Sequence, residues 1–208
     1  IVDAMAVWLS DRTDIDFVLH GGDMVDSATE INIRSAAALL RWPIPVYLCL
    51  GNHDMTCHRS IDMWMALAPC FFKGQTPDYT IEGADCVIHV IPNHWERAPY
   101  FWQNSQEERF STEQVGRLAT ELNRRPDTMH FLATHSPVLG VPQGQTGYSH
   151  EHHCPAEPFT SRLLELAERH QQLHCILGAH NHVNTCIKAG STHWVTTGAL
   201  VEAPFEFK

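Results

Sequence analysis

Apolar residues recur at helical spacing at the start of the chain (Ile1, Val2, Met5, Trp8 and Leu9), which predicts an amphipathic helix. A short apolar run over residues 16–20 reads as a buried strand that stops at Gly21-Gly22-Asp23. Ser27 and Glu30 have the spacing of a capping box. A helix is therefore predicted from Ser27, with Ile31, Leu39 and Leu40 on its apolar side and Pro43 at its end. Residues 46–50 predict a second apolar strand, ending at Gly51-Asn52, and residues 60–68 a helix. Residues 79–83 and 86–91 predict neighbouring strands joined through Gly83-Ala84-Asp85. Ser111 and Gln114 form another capping box, for a helix reaching Arg124. Residues 129–134 predict a strand leading to His135, and 138–155 a loop rich in Gly, Pro and His. The pattern closes with a helix over 159–170, apolar at Leu163, Leu166 and Ala167, and strands over 173–177, 192–197 and 203–207.

Alternation of strand and helix predicts an α/β architecture with helices covering a largely buried sheet. With 208 residues and no internal repeat or linker, a single domain over 1–208 is the simplest organisation. The chain opens inside a helix without Met and stops inside a strand-like stretch, so it reads as a segment truncated at the N-terminus and open at the C-terminus. A formal charge of −10 and the lack of a basic stripe argue against nucleic acid as a partner. No apolar run is long enough to span a bilayer. Seven widely spaced cysteines without a Cys-x-x-Cys pair read as buried free thiols of a reducing compartment. That favours a cytoplasmic location over a zinc-thiolate site.

Histidine is the compositional excess: 15 residues, against 14 Lys and Arg together. Only a few of them stand in a pattern. Four apolar strands end in polar blocks: Gly22-Asp23-Met-Val-Asp26, Gly51-Asn52-His53-Asp54, Thr134-His135-Ser136 and Ala179-His180-Asn181-His182. In open α/β sheets, ligands bind beyond the carboxyl ends of the strands, so these blocks deliver oxygen and nitrogen donors to one rim. Such a donor set suits Mn, Fe, Zn or similar divalent ions.

In this order the four blocks resemble the calcineurin-like metallophosphoesterase superfamily, over residues 17–184 and beyond. The resemblance implies a layered α/β/β/α sandwich of two mixed sheets flanked by helices, with the metal site at the C-terminal ends of strands. It implies that Asp23 bridges two divalent ions (Mn, Fe or Zn). Asn52, His135 and His180 complete one site and His182 joins the other. It further implies that His53, oriented by Asp54, stabilises or protonates the leaving oxygen, while Asp26 holds the loop around Asp23. The implied reaction is hydrolysis of a small phosphate ester, a nucleotide among the candidates, by a metal-bound hydroxide attacking in line.

Two departures bear on this reading. The superfamily's first motif, Asp-x-His, occurs nowhere in the chain, and Ala179 stands where Gly usually precedes His-x-His. Truncation explains the missing motif more simply than divergence, and it leaves one or both metal sites incomplete in this segment. The same absence is what a metal-depleted, non-catalytic scaffold that binds a protein partner would show, and a single-metal protein built on Asp23, Asn52, His135 and His180 is a third reading. Among the other histidines, His20 reads as a hydrogen-bonded structural residue. His150, His152 and His153, with Glu151 and Cys154, form a cluster that reads as a solvated loop or the lining of the substrate entrance. Trp95, Tyr100, Phe101 and Trp102 either stack on a nucleobase or pack, and Arg97 and Arg109 are the basic residues beside them.

Overall fold

The computed structural model describes residues 1–95, 99–101, 107–141, 143–146, 155 and 157–200. Helix α1 (Val2–Ser10) leads to strand β1 (Val18–His20), helix α2 (Glu30–Leu39) and strand β2 (Val46–Leu48). β1 and β2 pair in parallel as a two-stranded sheet. Helix α3 (Ser60–Leu67) follows, then the hairpin β3 (Tyr79–Glu82) and β4 (Cys86–Val90). Two-residue strands β5 (His94–Trp95) and β6 (Glu108–Arg109) pair with each other ahead of helix α4 (Thr112–Arg124). The rest is β7 (Met129–Ala133), a short helix α5 (Gln143–Thr146), α6 (Glu157–Arg169), β8 (Leu173–Gly178), β9 (Thr185–Ala189) and β10 (Thr192–Thr196). The larger sheet has the order β3-β4-β7-β8-β10-β9. Its four central strands run parallel, and the strands at both edges run antiparallel to their neighbours.

Two apolar clusters hold these layers. One lies between the sheets and under α3, around Leu48, Leu50, Trp64, Phe71, Phe72, Ile81 and Val90. The other lies beneath α4 and α6, where Leu118, Leu122, Leu163 and Leu166 meet Leu132, Ile176 and Trp194. The α/β class and the two-sheet layering agree with the sequence reading. The smaller sheet, however, is parallel rather than mixed.

The local signals hold unevenly. The Ser111–Gln114 capping box is present in both directions. Helix α2 is capped instead by Thr29, whose side chain accepts from the Asn32 N–H, and not by Ser27. Its buried side is consequently Ile33 and Ala36, with Leu40 packed behind them, while Ile31 and Leu39 face solvent. The predicted apolar face of α1 buries Leu9 alone; Ile1, Val7 and Trp8 are exposed, with the Arg12 guanidinium over the Trp8 ring. Strand β9, and the helix α5 inside the predicted loop, have no counterpart among the expected elements. Of the six described cysteines only Cys49 is buried, and Cys70 and Cys186 are exposed. Cys154 and the strand predicted over 203–207 lie outside the described residues.

The sheet interior also explains two of the unassigned histidines. His130 Nε2 lies 3.0 Å from the Arg125 carbonyl, which can only accept, so that nitrogen carries the proton. Its Nδ1 therefore accepts from His89 Nε2–H at 2.8 Å. Burial first, and His130 second, lower His89 to about 4. The native state thus resists protonation that the unfolded chain accepts near ~6.5. The stability this contributes is present above that value and is lost as pH falls towards 4. Wild type should lose up to roughly 3 kcal/mol from this site across that window. His89→Gln, which keeps a donor to His130, should show a shallower decline in urea-unfolding free energy between pH 6.5 and 4.

Candidate metal centre

The strands of both sheets that carry the four motifs end at the same rim. Beyond β1 the chain turns sharply, with Gly22 at φ 111° and Asp23 at φ 53°. A side chain at Gly22 would collide with the His135 ring, and one at Gly51 with Asp23 and His135. Both glycines are therefore required by close approach, and Gly22 by its backbone as well. His180 and His182 also adopt left-handed backbone, at φ 61° and 55°. Three of the predicted ligands are thus held in a conformation that non-glycine residues seldom occupy, a form of strain that collects at functional sites.

His135 is the centre of the cluster and is 1% exposed. Its Nδ1–H donates to the Gly21 carbonyl at 2.7 Å, which leaves Nε2 as the lone-pair nitrogen. Around that nitrogen stand Asp23 Oδ2 at 3.2 Å, Asn52 Oδ1 at 3.2 Å and His180 Nδ1 at 3.1 Å. Asp23, His135 and His180 form the only group of its kind among the described residues, each with a ligand atom within 4.8 Å of the others. The other oxygen of Asp23 accepts from the His53 backbone N–H at 2.9 Å. Burial works to raise Asp23, but His135 and that N–H outweigh it and hold the carboxyl at about 2. Burial likewise works to lower His135, and the facing Asp23 carboxylate and Gly21 carbonyl keep it above the ordinary imidazole value. A proton and a cation compete for the same lone pair in such a cluster.

The structure exchanges the roles expected of the two remaining carboxylates. His53 Nδ1 lies 2.9 Å from the Asp26 carbonyl oxygen and 3.6 Å from the Asp26 carboxylate, so Asp26 and not Asp54 orients it. Asp54 is fully buried and accepts from the backbone N–H groups of Gly51 at 2.9 Å and Val25 at 3.2 Å. It is Asp54, therefore, that ties the Asp23 loop to the Asn52 loop. Residues 53–55 form a single 3-10 turn, in which neighbouring side chains point about 120° apart, so His53 faces out while Asp54 faces in. Burial and the nearby Asp23 push Asp54 up to about 7, against the pull of its two N–H donors.

His182 is exposed and stands outside the cluster. His20 is structural, as expected: its Nδ1 accepts from the Gly22 N–H at 3.2 Å, and burial, aided by His135, lowers it to about 4. Trp95 and Phe101 are buried, and their rings lie 6.0 Å from His135 and 5.7 Å from His53. They pack behind the site and are not free to stack on a base. Tyr100 packs against His58, and Arg109 pairs through its backbone with His94. Arg97, Trp102, His150, Glu151, His152 and His153 lie outside the described residues.

The sequence profile of the calcineurin-like phosphoesterase family matches residues 3–184, most of the chain. The chain belongs to that family. Membership supports metal-dependent hydrolysis of phosphate esters in general. Solved structures with the same fold include a dimetal phosphatase from Danio rerio, at 16% identity and TM-score 0.69, covering 95% of this chain and 76% of that one. GAP50, the anchor in the inner membrane complex of Plasmodium, is similar at 12% identity and TM-score 0.63, covering 95% and 65%. A 5'-nucleotidase precursor from Thermus thermophilus is similar at 14% identity and TM-score 0.53, covering 95% of this chain and 42% of its own. No curated protein matches the sequence. No helix among the described residues is long and apolar enough to cross a membrane.

The glycine at the strand turn provides a test of this packing. Gly51→Ala should cost roughly 1–3 kcal/mol by overpacking the cluster. Gly116→Ala, where nothing lies within 4 Å of the added carbon, should instead stabilise helix α4 by about 0.5–1 kcal/mol. Denaturant unfolding of the two variants measures both.

Proposed function

We propose that Asp23, Asn52, His135 and His180 hold a divalent ion of the Mn, Fe or Zn class, and that the protein hydrolyses small phosphate esters with it. The observation that carries this reading is the crowding at His135 Nε2. The Nε2 lone pair, the Asp23 carboxylate oxygen and the Asn52 amide oxygen converge there beside His180 Nδ1, and a single proton can serve only part of that set, whereas a cation accepts from all of it. Asp23 and His182 are the residues of this chain that would hold a second ion. When bound, such ions clamp a phosphoryl group and supply the nucleophilic water.

The chain's own contribution is orientation and a proton. The Gly21 carbonyl fixes the tautomer of His135, and the His53 N–H fixes the Asp23 carboxylate. The His53 side chain is 40% exposed at the rim, so it can meet a substrate. With Nδ1–H committed to the Asp26 carbonyl, its Nε2 is the atom that gives a proton to the leaving oxygen. The donor set fits a small phosphate ester, a nucleotide among the candidates, and the net negative charge argues against nucleic acid as the substrate. We read residues 1–208 as one domain of that enzyme.

Metal content and turnover should separate the roles. Asp23→Asn should lose most bound Mn and at least about 100-fold in kcat. His53→Ala should lose about 100-fold in kcat, within the range for general acids, while keeping its Mn. Mass-spectrometric metal analysis and assays with an aryl phosphomonoester and an aryl phosphodiester measure this. Equal metal loss in both variants would sink the role given to His53, and a metal-loaded full-length protein inactive on both esters would sink the hydrolase reading.

A further inference from the structure

Strand β4 pairs with β7 in parallel, and the ladder runs one residue past β4, where the Ile91 N–H donates to the Ala133 carbonyl at 2.9 Å. Pro92 follows and has no N–H, so the backbone ladder stops there. The next residue, Asn93, is fully buried. Its Oδ1 accepts from Thr134 Oγ1 at 2.7 Å and from the Ser136 backbone N–H at 2.6 Å. These are the two residues that flank His135.

The other side of the same turn is held by main chain alone. The Thr134 N–H donates to the Leu177 carbonyl at 2.9 Å, and the His135 carbonyl accepts from the Ala179 N–H at 2.7 Å. On the β4 side, the side chain of Asn93 continues the ladder where proline has ended it. Its Nδ2 is buried without a hydrogen-bond partner among the described residues, so the acceptor oxygen is what holds the turn. The preceding Pro92 carbonyl is itself fixed by Gln114 Nε2 of the α4 capping box at 3.1 Å.

We infer that Asn93 is a positioning residue for the metal centre. Through Thr134 and Ser136 it sets the turn that aims His135 Nδ1 at Gly21 and Nε2 at the ligand cluster. This rests on the proposed metal reading, but it makes a claim about His135 that can be checked without metal.

The test has two arms on the full chain. In metal-free protein at a pH high enough to leave the ring neutral, 15N shifts of the His135 ring should report a proton fixed on Nδ1, and Asn93→Leu should average the two ring nitrogens. In Mn titrations, Asn93→Leu should raise the half-saturating metal concentration at least tenfold. The KM for an aryl phosphate at saturating Mn should stay within twofold of wild type. Asn93→Asp keeps the acceptor oxygen and should behave like wild type in both arms. Thr134→Val, which removes one of the two bonds, serves if Asn93→Leu does not fold, and should raise the metal requirement by a smaller factor. Unchanged ring shifts and unchanged Mn affinity in the folded Leu or Val variant would overturn the inference, as would an Asp variant as impaired as Leu. Wild type that binds no Mn would defeat the metal reading, while the ring shifts would still decide the role of Asn93.

Discussion

One hydrogen bond joins the two sheets at the place where their polar blocks meet. His135 stands at the end of the larger sheet and Gly21 at the end of the smaller one. The bond from Nδ1–H to the Gly21 carbonyl commits one ring nitrogen and defines the other. The positions of Asp23, Asn52 and His180 have meaning only relative to that nitrogen. Were the ring to turn over, its lone pair would face a carbonyl oxygen and the three remaining donors would face an N–H. The geometry of the site is therefore set by a contact between main chain and side chain across the sandwich, and not by the ligands alone.

Burial makes that arrangement both costly and rigid. Asp54, at the bottom of the site, accepts two backbone N–H groups from two different loops and is pushed towards neutrality by its surroundings. Asp23 is also largely buried yet is held as an anion, because an imidazole faces it. The two carboxylates are separated in behaviour by their neighbours, one becoming a structural tie and the other a charge available at the rim. The aromatic residues Trp95 and Phe101 close the back of this region against water.

Much of the site was legible because it lies where short apolar strands stop. Gly-Asn-His-Asp after residues 46–50, and His-x-His after residues 173–177, announce themselves by the change from apolar to polar. The Ser111 box was legible because a cap is a local event. What escaped was anything decided by side-chain direction or by an edge. The resemblance implied that Asp54 serves His53, but a single tight turn sends them opposite ways. Ser27 fitted a cap by its spacing to Glu30, but the extended backbone of Thr29 and its bond from the Asn32 N–H cap the helix two residues later. Strand β9 turns Thr185, Ile187 and Ala189 inward and Cys186 and Lys188 outward, so residue polarity does not follow its alternation. Asn93 belongs to no motif, and its role exists only because proline interrupts a ladder beside it.

The left-handed backbone at Asp23, His180 and His182 also shapes how this chain can vary. Glycine and asparagine accept such a conformation readily, while branched residues resist it. Among single substitutions at these positions, those the backbone accepts best are glycine, which has no donor, and asparagine, which has no charge. A lineage drifting away from metal would thus pass through small polar replacements that leave the fold intact. The motif could decay while the architecture persists, and a degenerate Gly- or Asn-bearing relative would still be readable as a descendant of the same site.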